Sequence, residues 1–590
     1  MEDLKISKGP LFLSTSNLAD ILGTSIATTQ KWGESGLYPL HTDNKGRQGF
    51  FMEELTDIPQ VQQMLHSKWD EESHVTPLRD FTSLELFAGA GGLALGMHFA
   101  GFKHILLNEI DAMAAQTLRI NHPDWNVLEG DIHNIDFTPL QGLVDFVSGG
   151  FPCQAFSYAG KKGGLNDTRG TLFFELARAV KEIQPKVFMG ENVKGLLSHD
   201  NGRTFKIIRN AIAELGYTLV EPRVLKAVMY QVPQKRERII LIAIRNDIAP
   251  HVQFHWPAPY KRVMTLRDAF FKGELYPTDV PISEGQTYPE KKRRVLALVP
   301  EGGDWRNLPD DVAREFMGAS YYLGGGKTGM ARRLSMDEPS LTLTCAPAQK
   351  QTERCHPTET RPLTVREYAR IQTFPDQWRF AGTISDQYKQ IGNAVPVNLA
   401  FAIGRSVMRL FNDIDAFQHE ESHFEEACQV ARDMIPPQLF ALDLFDMRQS
   451  YPDQIVKNTL RRAKTAKEAI LDPQKNVLVC LVKKENLAPY LDHSAKIYYT
   501  GRDFPSTVEL NHLYYFMPYT KQKGIRDLYL IKVARIGSKH EVQTTADPND
   551  LRVVFEIEFV RQLFPDYKPI DLNIWHTFTD TKLEKILQME

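Results

Sequence analysis

The sequence predicts an α/β protein built on a mostly parallel sheet with helices on both faces. Two observations carry that prediction. Short apolar runs recur through the middle of the chain, with amphipathic stretches of helical spacing between them. Glycine-rich segments, Phe87–Gly92 and Gly149-Gly150, follow such runs, as loops at the ends of parallel strands do.

The first part, residues 1–75, precedes that rhythm. Ser16–Gly23 reads as a short helix closed by glycine. Ser25–Glu34 reads as a second helix with Ser25 as its N-cap. Gly36-Leu37-Tyr38-Pro39 ends it, and Lys45-Gly46-Arg47-Gln48-Gly49 is similar to a small basic wing. The spacing is that of a helix-turn-helix, with Thr28, Thr29, Gln30 and Lys31 on the second helix. The part resembles MerR-type and excisionase-type winged helices, although a helical pair that only packs on the main domain has the same pattern.

The α/β region spans 80–254 and 361–415. Ser83–Phe87, His104–Asn108, Val144–Ser148, Lys186–Met189, Thr218–Leu225 and Ile239–Ile244 are expected strands. Leu172–Ile183 and Thr204–Leu215 are expected helices. From 255 to 360 the rhythm is lost among prolines and Gly324-Gly325-Gly326, which marks a small separate lobe. It returns at Thr364–Thr373 and Asp386–Phe411. The last part, 430–590, has strand-like runs at Asn476–Val482, Leu513–Met517, Leu528–Val533 and Leu551–Glu558, and is expected to be α+β or β-rich. Its basic and aromatic stretch from Tyr514 to Lys539 suits a nucleic-acid-binding accessory. The fragments Asp566-Tyr567-Lys568 and Asp580-Thr581-Lys582 are too short to define a nuclease.

Bulk properties narrow the function classes. A chain of 590 residues has room for about three or four domains. A net charge of -3 means that DNA contacts must come from local patches. Five cysteines without a C-x-x-C pair point to neither a disulfide framework nor a zinc site, and no metal is expected. No apolar run suggests a membrane span, and Met1-Glu2-Asp3-Leu4 does not resemble a signal peptide, so a reducing cytoplasm is the expected location.

The chemistry sits at the predicted strand ends. In the loop Phe87-Ala88-Gly89-Ala90-Gly91-Gly92, glycines let the backbone turn and approach a ligand beside a helix N-terminus. Glu109 ends the second strand, where a carboxylate can accept from two ribose hydroxyls. Asp131, before Ile132, stands where an adenine amino group could be met. Both acids could equally cap helices. Cys153 follows Gly149-Gly150-Phe151-Pro152, and proline fixes the backbone before the thiol. The basic, glycine-rich segment Ser157–Gly164 could close over a phosphate backbone. Glu191 follows the fourth strand, and Arg236 and Arg238 alternate before the last, so that both guanidiniums could meet the substrate or Glu191. A thiol, a carboxylate and an anion clamp beside an adenosine cradle are what attack on a cytosine ring with a bound methyl donor would need.

Six segments in order make a resemblance plain: Phe87–Gly92, Gly150-Phe151-Pro152-Cys153-Gln154, Glu191-Asn192-Val193, Gln234-Lys235-Arg236-Glu237-Arg238, Arg361-Pro362-Leu363-Thr364 and Gln390–Pro396. Residues 82–411 resemble the bacterial C5-cytosine DNA methyltransferases. The resemblance implies a Rossmann-like fold and S-adenosylmethionine as donor, contacted at Phe87, Gly89, Ala90, Gly91, Gly92, Glu109, Asp131, Ile132, Pro152, Leu172, Asn393 and Val395. It implies catalysis by Cys153, Glu191, Arg236 and Arg238. It makes 255–360 the target-recognition domain, with Thr342-Leu343 matching the family's Thr-Leu pair. Expected DNA contacts are Ser157, Lys161, Lys162, Arg169, Thr342 and Leu343. Ala159 stands where some relatives carry a DNA-touching serine. The implied partner is double-stranded DNA. A restriction endonuclease sharing the target sequence is expected, without a stable complex, and the enzyme is expected to be a monomer. RNA cytosine methylation by the same machinery, and transcriptional regulation through residues 1–75, are the alternatives. An amino-methylating enzyme is disfavoured, because no Asp/Asn-Pro-Pro-aromatic motif is present.

Overall fold

The computed structural model describes residues 11–151, 172–322, 329–418 and 422–435, together with the strands of a second unit between 476 and 582. The chain divides into two compact units, Met1–Met434 and Ile435–Glu590.

The first unit is organised by an eight-stranded sheet. Its strands are β1 (Thr82–Leu86), β2 (Lys103–Glu109), β3 (Val127–Glu129), β4 (Phe146–Gly150), β5 (Val187–Val193), β6 (Tyr217–Leu219), β7 (Arg223–Lys226) and β8 (Glu237–Arg245). Their order is β7-β8-β5-β4-β1-β2-β3, and β6 also pairs with β8. The five strands β5-β4-β1-β2-β3 run parallel. β8 enters antiparallel to β5, and β6 and β7 lie antiparallel to β8. The apolar runs are nearly continuous because helices cover both faces. The single expected strand Thr218–Leu225 is split in two. Pro222 has no N–H to give the ladder, so the chain leaves β8 after Leu219 and rejoins it at Arg223.

Leu172–Ile183 and Arg203–Glu214 form helices, as expected from their spacing. The returning segment forms Val365–Ile371, Ile384–Asn393 and Val397–Gln418. Thr364 and Thr383 each close a capping box, with Glu367 and Asp386. The Val397–Gln418 helix is largely buried and serves as a core element. The lobe between the sheet and this return has its own small core of Leu296, Val299, Leu308, Ala313, Ala331 and Cys355. It rejoins the sheet where Ser340–Leu341 pairs in parallel with Gln234–Lys235.

Before the sheet, Thr15–Leu22 and Ile26–Glu34 form the two expected helices. Ser14 accepts from the Asn17 N–H and Ser25 from the Thr28 N–H, while Gly23 closes the first helix at φ 74°. Three short strands, Phe12–Ser14, Gln48–Phe51 and His41–Thr42, pair in that order. The apolar core is continuous from Leu18, Phe50 and Val61 to Ile240 and Ile242 under the sheet. Thr28, Thr29, Gln30 and Lys31 lie on the second helix, as expected. Thr29 is fully buried there, and its hydroxyl donates to the Thr15 and Ile26 carbonyls. The residues of the expected basic wing are paired. Arg47 bonds to Asp43 and to the Asp337 carbonyl, and Lys45 pairs with Asp337.

In the second unit the described strands form one mixed sheet, in the order Ile497–Tyr499, Leu551–Gln562, Asp527–Ser538, Leu513–Tyr519, Asn476–Leu481, Phe578–Lys582. Asn476–Leu481 runs parallel to Leu513–Tyr519, and the remaining pairs are antiparallel.

Candidate active site

Loops at the carboxyl ends of the parallel strands make a cradle where β1 meets β2 and β4, the crevice that open α/β sheets use for ligands. After β1 the backbone turns through left-handed conformations at Phe87 (φ 57°), Gly89 (φ 57°) and Gly91 (φ 83°). A Cβ added at Gly89 would meet nothing within 4 Å among the described residues, so the loop is open to them there. At Gly92, the first residue of the helix Gly92–Phe99, an added Cβ would fall on the Val395 carbonyl. The loop is therefore locked against the Asn393–Val395 segment arriving from the far end of the domain.

Glu109, at the end of β2, is 8% exposed. One of its oxygens accepts from the Gly89 N–H at 2.7 Å, the other from the Asp111 N–H at 2.8 Å. Burial pushes its carboxyl above the ordinary value against these bonds. Each oxygen keeps a further lone pair, so the carboxylate can accept from a vicinal diol. Asp131 caps the short helix Ile132–Asn134 by accepting from the His133 N–H, and its side chain lies 2.6 Å from His133 Nδ1. Its carboxylate is committed to that turn, while Ile132 is buried beneath it. Leu172 starts the helix Leu172–Ile183 and is half-buried. Asn393 is exposed, and its Oδ1 accepts from Cys345 Sγ at 3.2 Å. Sequence reasoning missed Ile110. It is 67% exposed directly after Glu109, an apolar face suited to a flat heteroaromatic ring. The available signal was a bulky apolar residue directly after the acid that ends the second expected strand. This cradle fits an adenosine: a diol acceptor, a glycine loop with open space and an apolar face.

The candidate catalytic side lies one strand over. Gly150 of β4 is in register with Glu191 of β5. A Cβ at Gly150 would stand 3.1 Å from Glu191 Oε2, so glycine leaves room for the carboxylate. Asn192 Nδ2 donates to the Phe151 carbonyl at 2.8 Å, fixing the chain as it leaves β4. Pro152, Cys153, Ser157, Lys161, Lys162 and Arg169 lie outside the described residues. Glu191 is 8% exposed, and its Oε1 is 2.6 Å from Arg238 Nε. That approach is close but not aligned as a hydrogen bond, so Oε1 retains acceptor capacity. The arrangement can hold a proton or a ring nitrogen beside a guanidinium.

Arg236 does not join this pair. It sits at the break between the strand Gln234–Lys235 and β8, so the shared face expected of alternate residues is lost. Its side chain is 2% exposed and donates to the carbonyls of Leu343, Gly392 and Asn393 at 3.4, 3.2 and 3.5 Å. Burial, reinforced by Arg238, pushes its guanidinium down to about 9. Arg236 thus ties the lobe to the cradle segment through these three carbonyls. Leu343 is buried in the core and donates its N–H to Gln234 Oε1, so any role toward DNA is indirect. Thr342 is half-buried and donates its hydroxyl to the Lys235 carbonyl at 2.5 Å.

With this geometry, comparison with known proteins is informative. The C-5 cytosine-specific DNA methylase family matches residues 81–409. The chain is 60% identical to the type II methyltransferase M.Eco47II of Escherichia coli over 403 residues, 68% of this chain and 96% of that protein. It is 56% identical to M.PspPI of Psychrobacter sp. (strain TA137) over 400 residues, 68% and 96% of the two chains. Identity to M.Sau96I of Staphylococcus aureus is 44% over 414 residues, 69% and 90% of the two chains. The family match runs through every strand of the eight-stranded sheet, the lobe and the helices that return to the cradle, more than half of the whole length, and on that ground the chain belongs to the C-5 cytosine-specific DNA methylases.

Proposed function

We propose that this chain methylates C5 of a cytosine flipped out of a specific duplex DNA sequence, within a restriction-modification system, through a transient covalent bond from Cys153 to C6. The observation that carries the reading is the Glu191–Arg238 contact at 2.6 Å, one strand from the exit toward Cys153 and at the same sheet edge as the Glu109 cradle.

S-adenosylmethionine, the donor used by this family, supplies an electrophilic methyl group. Glu109 accepts the ribose hydroxyls, the Phe87–Gly92 loop admits the nucleoside, and Ile110 faces its base. A paired base cannot reach the site, so the cytosine leaves the stack at a cost of a few kcal/mol, offset by DNA contacts. The Cys153 thiolate adds to C6, and the displaced electron pair moves into the ring toward N3. Glu191 hydrogen-bonds N3 and the exocyclic amine, and Arg238 steadies the charge on that side. C5 becomes nucleophilic and would take the methyl group as the donor's sulfonium C–S bond breaks, the electron pair staying on sulfur in the departing S-adenosylhomocysteine. Removal of the C5 proton by a base then returns the electrons, expels the thiolate and restores the ring. The lobe 255–360 reads the sequence in the duplex, and the enzyme acts as a monomer, one strand at a time. A cognate endonuclease would share the sequence without a stable complex.

Bisulfite sequencing of DNA from cells expressing the chain, with an in vitro arm comparing duplex DNA and tRNA, tests this. Protected cytosines in one short sequence context, with no transfer to tRNA, support the proposal. Transfer to tRNA alone, or methylated cytosines in no common context, overturns it. Promoter regulation by residues 1–75 gains no support from Thr29, Lys45 or Arg47, whose polar groups are engaged within the protein.

A further inference from the structure

The residues that dock the amino-terminal part converge on one short segment. Asp337 pairs with Lys45 at 2.5 Å and with Arg267 at 2.9 Å, and its carbonyl accepts from Arg47 at 2.8 Å. Glu338 accepts from Ser16 at 2.9 Å and from Ser14 at 3.3 Å. Lys235 joins both sides: its ammonium lies 2.8 Å from Asp20 and 3.5 Å from Glu338. Lys226, on the neighbouring strand, donates to the Ile21 carbonyl at 2.6 Å, which holds the carboxyl end of the helix Thr15–Leu22. Two residues after Glu338, Ser340–Leu341 pairs with Gln234–Lys235, and Thr342 donates to the Lys235 carbonyl. The same short stretch continues to Leu343, which Arg236 ties to the cradle segment Gly392-Asn393.

We propose that residues 11–75 act as an internal brace for the DNA-reading lobe, with Ser16, Asp20, Lys45 and Arg47 as positioning residues that set the path of Asp337–Leu343 into the site. The brace rests on the assignment of 255–360 as the sequence-reading surface. Its consequence is specific. Loosening the brace lets the segment that enters the site shift relative to Arg238, while Glu109 and the Phe87–Gly92 loop at the ends of β2 and β1 stay as they are. Discrimination between target sequences falls, and chemistry on a bound target is nearly unchanged. Free wing residues reading DNA themselves would behave differently, because phosphate contacts act on all sequences alike and carry a salt dependence.

The test uses the full chain with Lys45→Ala/Arg47→Ala and, separately, Asp337→Asn, on the duplex identified by bisulfite sequencing and on a duplex with one base pair of the target changed. The brace predicts that both variants raise KM for the target duplex about fivefold or more and lower the preference over the changed duplex by a similar factor. It also predicts kcat within about twofold and an unchanged dissociation constant for S-adenosylmethionine. If Lys45→Ala/Arg47→Ala instead weakens both duplexes equally with a shallower salt dependence, and Asp337→Asn tightens binding by freeing the two cations, the wing contacts DNA and the brace is refuted. Unchanged discrimination in both variants also refutes it. Tyr322→Ala, at a residue of the lobe that is 76% exposed, separates the two failures. If it alters discrimination where the brace variants do not, only the brace fails; if it too is silent, the assignment of the lobe fails with it.

Discussion

Replacing Glu109 with glutamine isolates the cradle from the rest of the site. The carboxylate now accepts the Gly89 and Asp111 N–H groups, one on each oxygen. Glutamine offers one oxygen and one NH2, so an N–H donor faces an N–H donor at one of these contacts. The remaining oxygen is left to serve both a backbone N–H and one ribose hydroxyl. One charge-assisted bond to the ribose disappears and the other weakens, and such bonds are worth about 1.5–3 kcal/mol each. A total near 2–4 kcal/mol corresponds to an increase of roughly 30- to 1000-fold in the dissociation constant. Isothermal titration of the cofactor measures it directly, and DNA binding without cofactor serves as the control. The pH dependence gives a second readout. Burial raises the Glu109 carboxyl above its ordinary value, so it takes up a proton at a higher pH than a free glutamate does. The neutral acid is the poorer acceptor, so cofactor affinity falls as pH drops through that range, and the glutamine variant is flat there. A dissociation constant within twofold of the parent, or an unaltered pH profile, refutes the assignment of Glu109 to the ribose.

Arg238→Ala leaves the buried Glu191 without its cation and lowers kcat by about 10²- to 10³-fold with cofactor affinity unchanged, as single-turnover methyl transfer can check. Arg236→Ala has a different signature: it opens a cavity and strips donors from the Leu343, Gly392 and Asn393 carbonyls, lowering stability by about 3 kcal/mol or more in urea denaturation. Asp145→Asn breaks a buried network in which Asp145 receives Arg79 at 2.8 and 3.0 Å, Lys186 at 3.1 Å and the Thr82 N–H at 3.0 Å, and costs about 3–5 kcal/mol. Although burial opposes it, Arg79 and Lys186 hold the Asp145 carboxyl below its ordinary value. Its stabilisation is therefore present above about pH 4 and is lost as pH falls through the folded-state value, a loss that acid denaturation of the variant will lack.

Much of this architecture was legible in the sequence, for identifiable reasons. Leu172–Ile183 was recognised as a helix, with its end at Ile183, because its apolar face repeats at helical spacing, and Ser25 was readable as a cap because its side chain has one local use. β3 was not named because three residues, Val127–Glu129, are too few to show a period. The split of β6 from β7 was hidden because apolar residues continue across Pro222. In the site, Glu109 and Glu191 were legible from their place at the ends of the apolar runs, although Glu191, expected after its strand, lies within β5. The separation of Arg236 from Arg238 was not. Alternation predicts a shared face only while the strand is regular, and Arg236 stands where one sheet ends and another begins. The burial of Thr29 was not legible for a similar reason: local pattern places it on the second helix but does not reveal that the face of Ile26–Glu34 bearing it packs on Thr15–Leu22.

The central claim, a covalent bond between Cys153 and C6 of the target base, has a direct measurement. A duplex carrying 5-fluorocytosine at the target position, incubated with enzyme and S-adenosylmethionine, cannot lose a proton from C5 and traps the methylated adduct. Peptide mass spectrometry of the digested complex is predicted to find the oligonucleotide on Cys153, and Cys153→Ser to give no adduct there. A target cytosine methylated at C5 by an enzyme that yields no adduct at this residue would contradict the account.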